Sequence, residues 1–241
     1  MSATLIGVGV GPGDPELLTL RAVRVLQHAD RVVAPSIAPD VEGRAESIVR
    51  QAVPGLRVDR VLFEMAAGAP TRRATARRVA ATIDEWFAST PRIAFVTLGD
   101  PNVYSTFSAV AWELRHLRPA LEVTTVPGIM AFQDLAARAG TVLLDDVESL
   151  TLVSALTGPE AAVEALRDPA RAVVVYKGGR HLPAIAKALS DAGRLEGAVV
   201  GELLGLPGER IGPVSDLSSS PLSYLATVVV PPLGAQAAGS R

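Results

Sequence analysis

Four short segments carry residue types that chemistry can use. Gly7-Val8-Gly9-Val10-Gly11-Pro12-Gly13-Asp14 has glycine at every second position up to Gly13. Gly99-Asp100-Pro101-Asn102-Val103-Tyr104-Ser105-Thr106 sets a carboxylate, an amide and three hydroxyls behind a glycine. Val126-Pro127-Gly128-Ile129-Met130-Ala131 and Tyr176-Lys177-Gly178-Gly179-Arg180 complete the set. Glycine lets a backbone approach a ligand or another loop closely. Carboxylates, phenols and alcohols can hold or move a proton.

The first segment invites a dinucleotide reading, and the match fails. With Gly7 as the first glycine of G-x-G-x-x-G, the third falls on Pro12. No acidic residue ends the second strand-like run, where a ribose-binding carboxylate belongs. The segment is therefore either a cleft-lining loop or a tight turn, and Asp14 reads as a helix cap before it reads as a catalytic group. For residues 99–106 a ligand loop and a capped helix compete. In the second case Ser105 or Asn102 caps and Tyr104 packs. For residues 126–131 the competitor is a hinge. For residues 176–180, two glycines beside two cations can cradle an anion, or simply turn a strand into a helix.

Other chemistries find no support. Cysteine is absent, which excludes disulfides, thiolate metal sites and a cysteine nucleophile, and fits a reducing cytoplasm. His28, His116 and His181 lack metal-ligand spacing, and the first two fall near expected helix ends on the surface. No phosphate loop and no G-x-S-x-G elbow occurs. We expect no protein-bound metal.

The elements that must position these segments alternate along the chain. Residues 3–8, 31–34, 56–63, 92–98 and 121–126 read as strands. Helical patterns cover 42–52, 71–88 and 105–117, and an earlier one begins at Asp14-Pro15-Glu16 and runs on through Leu17, Leu18, Ala22, Val25 and Leu26. The long helix carries Arg72, Arg73, Arg77 and Arg78, a face that is ordinarily solvated or, alternatively, meets an acidic ligand. Alternating strands and helices imply a mainly parallel sheet covered on both faces. Past Gly128 the rhythm changes. A helix over 129–138 leads to strands at 149–155, 172–176, 197–202 and 226–230, with a hairpin or loop over 205–221. The expectation is an α/β chain of two domains, residues 1–125 with a mainly parallel sheet and 126–233 with a mixed one. An active-site cleft lies between them, and a loose tail covers 234–241.

Composition is consistent with this. The 241 residues are 49% hydrophobic and 20% charged, enough for a real core. A net charge of -2 gives no case for nucleic acid or an anionic membrane. No apolar run reaches the ~20 residues of a membrane helix, and residues 1–9 lack the basic start of a signal peptide.

Taken together and in order, the segments resemble the tetrapyrrole methylase family, over residues 5–230. The opening GVGVGPGDPELLTLRAVRVLQHAD matches its first motif, with Arg21 where lysine is common. TLGDPNVYST, VPGI and GLPGERI match later ones. The resemblance implies S-adenosylmethionine as methyl donor, a tetrapyrrole as acceptor, and a homodimer. It also implies donor contacts at Pro12, Leu98, Gly99, Asp100, Val103, Met130 and Ala131, joined by Ser105 and Thr106, and with a looser match by Lys177, Leu204 and Gly205. Tyr104-Ser105-Thr106, Ala34-Pro35 and Gly43-Arg44-Ala45 resemble the branch that methylates carbon 20 of precorrin-2 or of cobalt-factor II. The segment at Tyr176 departs from a fixed family pattern. Rival readings are a methyltransferase for another position of the corrin or sirohaem precursor ring and, in another class, a non-catalytic tetrapyrrole- or nucleotide-binding module.

Methyl transfer from a sulfonium to a nucleophilic carbon asks the protein mainly for positioning, which can supply ~7–11 kcal/mol. A proton must then leave, and Tyr104 and Asp100 are the candidates. Tyr104 can instead orient substrate by hydrogen bonding. Arginines suit the carboxylates of the substrate.

Overall fold

The computed structural model describes residues 3–63 and 69–233. The tail expected over 234–241 lies outside them. The chain divides into two units, one ending at Met130 and one beginning at Ala131. The sequence reading sets the boundary slightly earlier, between residues 125 and 126.

In the first unit β1 (Thr4–Gly9), β2 (Arg31–Ser36), β3 (Asp59–Leu62), β4 (Arg92–Thr97) and β5 (Glu122–Val126) alternate with four helices. These are α1 (Leu20–His28), α2 (Arg44–Ala52), α3 (Ala69–Trp86) and α4 (Thr106–Leu117). The sheet order is β3-β2-β4-β1-β5, and every neighbouring pair is parallel. Successive strand side chains point to opposite faces. Leu5, Val33, Ile93 and Phe95 therefore pack on Ala76 and Ile83 of α3 and Val110 and Leu114 of α4. Ile6, Val8, Ala94 and Val96 pack on Ala22 and Leu26 of α1 and Ile48 and Val49 of α2.

This order locates a binding position. From β1 the chain crosses towards β2, and from β4 it crosses the other way, to β5. Right-handed crossovers in opposite directions lie on opposite faces of the sheet, as the two core clusters show. β1 and β4 are neighbours, so the gap between their carboxyl ends is the switch point where open α/β sheets take ligands.

The first helix starts later than its sequence suggests. The Asp14 carboxylate accepts from the Glu16 N–H at 2.8 Å, but closes only a 3-10 turn over Pro15–Leu17. Leu18 is extended, which ends that turn. Thr19 Oγ1 then accepts from the Ala22 N–H at 3.1 Å and caps α1.

The second unit holds α5 (Ala131–Ala139), β6 (Ser149–Ser154), α6 (Glu160–Ala165), β7 (Arg171–Tyr176) and α7 (Leu182–Asp191). After these come β8 (Val199–Glu202), β9 (Arg210–Pro213), α8 (Val214–Leu217) and β10 (Ala226–Val230). Its sheet runs β6-β7-β10-β8-β9. β6 and β7 are parallel, and the other pairs are antiparallel, so the sheet is mixed. The segment expected as a hairpin or loop, residues 205–221, begins as a hairpin, with β9 returning along β8, and continues into the short α8, which the sequence reading does not name. Sequence reading names no helix between β6 and β7 and gives the one after β7 only as the alternative strand-to-helix turn at residues 176–180; α6 and α7 stand there and cover one face through Ala162, Ile185 and Leu189. On the other face Val174 and Val229 pack against Leu135 of α5. Arg194 is buried beside β7 and donates to the carbonyls of Leu166, Asp168, Arg171 and Pro231 at 2.6–3.2 Å. Burial pulls its pKa down, with the Asp168 charge acting against that. Among the described residues no helix is long and apolar enough to cross a membrane.

Candidate active site

Three of the glycine-bearing segments meet at the carboxyl ends of β1, β4 and β5. The Gly99 N–H donates to the Gly11 carbonyl at 2.8 Å, and the Val10 N–H to the Thr97 carbonyl at 3.0 Å. The Gly99 carbonyl oxygen lies against Gly9 and Gly128. A Cβ on Gly9 would stand 2.5 Å from that oxygen and 2.6 Å from the Gly128 nitrogen, and a Cβ on Gly128 would overlap the oxygen outright. Gly99 is different: it sits at φ +63 with nothing within 4 Å of a Cβ built on it. It thus needs left-handed backbone and faces open space at the switch point. Gly7 has a packing role, since a Cβ there would stand 2.5 Å from the Phe107 ring.

Polar groups tie the loop after β4 in place. Asp100 Oδ1 accepts from the Asn102 N–H at 2.8 Å, and Oδ2 accepts from the Gly128 N–H at 3.1 Å. Asn102 Nδ2 donates to Thr125 Oγ1 at 3.3 Å. Ser105 is the cap of α4: its Oγ accepts from the Phe107 N–H at 3.0 Å and lies 2.9 Å from Thr97 Oγ1. Thr106 is the first residue of α4. Tyr104 is 47% exposed and holds φ +49, a left-handed conformation unfavourable for a bulky side chain. Such outliers cluster at ligand sites.

Two further outliers mark the second sheet. β7 and β8 are both antiparallel to β10, so their carboxyl ends lie at the same end of the sheet. Lys177 follows β7 at φ +59, and Leu203 follows β8 at φ +53. Lys177 Nζ lies 5.5 Å from the centre of the Tyr224 ring. Glu202, at the end of β8, is buried; its Oε2 accepts from the Ser223 N–H at 2.6 Å, and its Oε1 from Arg210 Nε at 2.5 Å. Burial pushes this carboxyl up, but those donors outweigh it and hold the group below the ordinary carboxylate range. Glu209 is lowered chiefly by Arg138, against its own burial, and accepts from the Gly205 N–H at 2.6 Å.

The described candidates thus fall into two sets. Pro12, Leu98, Gly99, Asp100, Val103, Tyr104, Ser105, Thr106 and Met130 stand on the strand-end segments of the first sheet. Ala131 opens α5, and Lys177, Leu204 and Gly205 follow β7 and β8 in the second unit. Leu204 turns its side chain into the core with Leu135, Val174 and Val229. The anion cradle read at residues 176–180 is taken up by packing: a Cβ on Gly179 would overlap the Ser223 carbonyl, and the Gly179 carbonyl accepts from the Leu222 N–H at 2.8 Å. Part of the arginine face of α3 is also engaged, with Arg73 and Arg77 at 3.7 and 3.4 Å from the buried Glu113 of α4. His28 and His116 are exposed near helix ends, as expected. Among the described residues no cluster of three histidines or acids could hold a metal.

Sequence reasoning missed Gly9 as partner of Gly99, and also Thr125, Leu203 and Glu202. Asp100-Pro101-Asn102 carried a legible signal, since an aspartate accepting from the N–H two residues on is a common turn device. The pairing of Gly9 with Gly99 carried none, because ninety residues separate them.

The family model described as "Tetrapyrrole (Corrin/Porphyrin) Methylases" matches residues 4–218. The chain belongs to the tetrapyrrole methylase family. Within it, the chain is 31% identical to a cobalt-precorrin-2 C(20)-methyltransferase of Salmonella typhimurium, over 95% of this chain and 97% of that one. It is 32% identical to a precorrin-2 C(20)-methyltransferase of a Sinorhizobium species, over 94% of each. Among solved structures, the uroporphyrin-III C-methyl transferase of Thermus thermophilus complexed with S-adenyl homocysteine superposes with a TM-score of 0.65 at 23% identity, covering 95% of this chain and 97% of that one. That likeness carries the fold.

Proposed function

We propose that this methylase transfers a methyl group from S-adenosylmethionine to carbon 20 of precorrin-2 or of its cobalt-bearing counterpart. The observation that supports the proposal is 31–32% identity over nearly the whole length of relatives bearing that name, on a chain whose three family motifs interlock at one switch point.

The chain's residues fit a bound donor in one testable respect. Gly99 offers left-handed backbone with open space where a side chain would stand. Gly99, Val103, Ser105, Thr106, Pro12, Leu98, Met130 and Ala131 are the proposed donor contacts, with Asp100 contributing through its main chain, joined by Lys177 and Gly205 and by the main chain of Leu204. When bound, the donor supplies an electrophilic methyl on a sulfonium. The chain's share is orientation and exclusion of water, effects worth several kcal/mol when geometry is held. Tyr104 presents an exposed side chain on the same loop, and we assign it the orientation of the acceptor or receipt of its proton. Arginines are the proposed partners of the acceptor's carboxylates. A homodimer in the cytoplasm completes the proposal, on the family resemblance and the absence of cysteine.

The test is direct. Protein, S-adenosylmethionine and either precorrin-2 or cobalt-factor II are incubated, and the product is located by mass and NMR. A methyl group on carbon 20 is expected with at least one acceptor. Methylation elsewhere on the ring, or donor binding without transfer, overturns the assignment.

A further inference from the structure

We infer that Asp100 and Asn102 are positioning residues, a two-point latch between the loop after β4 and the end of β5 that sets the Gly99 peptide for the donor. The inference rests on the donor reading above.

The glycine contacts alone cannot do this. They state what the junction excludes, namely any Cβ on Gly9 or Gly128, but a carbonyl packed between two glycines has no side chain to hold it there. The latch supplies the attraction. Asp100 accepts from its own loop at the Asn102 N–H and from the neighbouring segment at the Gly128 N–H, at 2.8 and 3.1 Å. Asn102 then reaches Thr125 Oγ1 at 3.3 Å. Two links therefore cross from one strand end to the next, on either side of Val126. One of them ends on the glycine that the Gly99 carbonyl touches.

A carboxylate suits this task better than an amide. It offers two acceptor oxygens, so it can serve N–H groups on two segments at once. An amide offers one carbonyl oxygen, and its NH₂ would confront the second N–H. Both Asp100 oxygens are thus engaged with main-chain donors, and the residue acts on the site through backbone instead of as proton acceptor.

The test uses the full chain, Asp100→Asn and Asn102→Ala, with S-adenosylhomocysteine binding by calorimetry and methyl transfer at saturating donor across pH. Asp100→Asn is expected to weaken S-adenosylhomocysteine, and to raise donor KM, by about tenfold or more. Its kcat at saturating donor is expected to fall by no more than about threefold, with a pH profile of the parent's shape. Asn102→Ala, an exposed change, is expected to move affinity the same way by about threefold. It carries the binding test alone if circular dichroism shows that Asp100→Asn does not fold. Affinity equal to the parent's in the folded variants overturns the inference. So does a hundredfold loss of kcat with affinity retained and one limb of the pH profile gone, which would make Asp100 the proton acceptor. A parent that does not bind S-adenosylhomocysteine overturns the donor reading itself, and the latch with it.

Discussion

At the carboxyl ends of β1, β4 and β5 the loops meet backbone on backbone, with Gly9, Gly99 and Gly128 in contact and the Asp100 carboxylate bridging two main-chain N–H groups beside them. After β7 and β8 the loops hold bulky residues, Lys177 and Leu203, in left-handed backbone, and the carboxylates of the buried Glu202 and the partly exposed Glu209 pin nearby main-chain N–H groups. The glycine contacts of the first arrangement depend on the absence of side chains, whereas the turns of the second depend on ion-paired carboxylates. Steric exclusion does not titrate, and it tolerates no added atom. Charge tolerates small changes of volume and fails when the carboxyl is protonated.

This contrast orders the expected effects. Gly128→Ala forces a methyl onto the Gly99 carbonyl and should cost about 3 kcal/mol or more, because backbone cannot yield as a side chain does. Denaturant unfolding would measure it, and a parent-like midpoint would remove the steric account of the first set of loops. Glu202→Gln should cost about 2 kcal/mol, less than a fully buried pair because Arg210 is half exposed.

The pH dependence separates the two sets further. Glu202 and Glu209 have folded-state pKa values below their ordinary range. Their contribution is therefore complete above the unfolded carboxyl value, at about pH 5, and is lost as pH falls through the depressed folded value. Glu46, buried in α2 against Arg50 and Arg60, adds a further acid-sensitive contribution: its burial raises the carboxyl, and the two arginines more than offset that. Glu202→Gln should flatten the acid slope of stability, whereas Gly128→Ala should lower stability equally at all pH. Equal slopes for parent and Glu202→Gln would sink the distinction.

Smaller effects test the open side of Gly99. Gly99→Ala should cost only about 1 kcal/mol, the penalty of left-handed backbone for alanine, since its Cβ meets nothing. Gly99→Arg should leave the chain folded and abolish donor binding, and undiminished affinity by titration calorimetry would count against a donor at this turn. Last, Tyr104→Phe should leave stability and donor affinity nearly unchanged and lower turnover about tenfold. Equal turnover would leave the hydroxyl without a role.

Much of this is legible in the residues because it is local. β-branched runs such as residues 92–97 and the fully buried 226–230 read as strands. The rhythm of strand and helix foretold a parallel first sheet, and Ser105 was readable as a cap. The start of α1 was misplaced because Asp14 and Thr19 both look like caps, and only the extended Leu18 between them decides. α6 escaped because its six residues are too few to show a full helical period, and α7 was legible only as the alternative turn from strand into helix after residues 176–180.

By itself, then, the order of glycine, proline and acidic residues determined the family and the fold class, since motif spacing and hydrophobic period are properties of the chain in one dimension. Only the tertiary structure decided which glycines touch, that Asp100 reaches Gly128, that Leu204 faces a core, and that Glu113 takes up part of the arginine face. Each of these joins segments far apart in sequence, and such contacts are set by strand order and register, which no local spacing encodes.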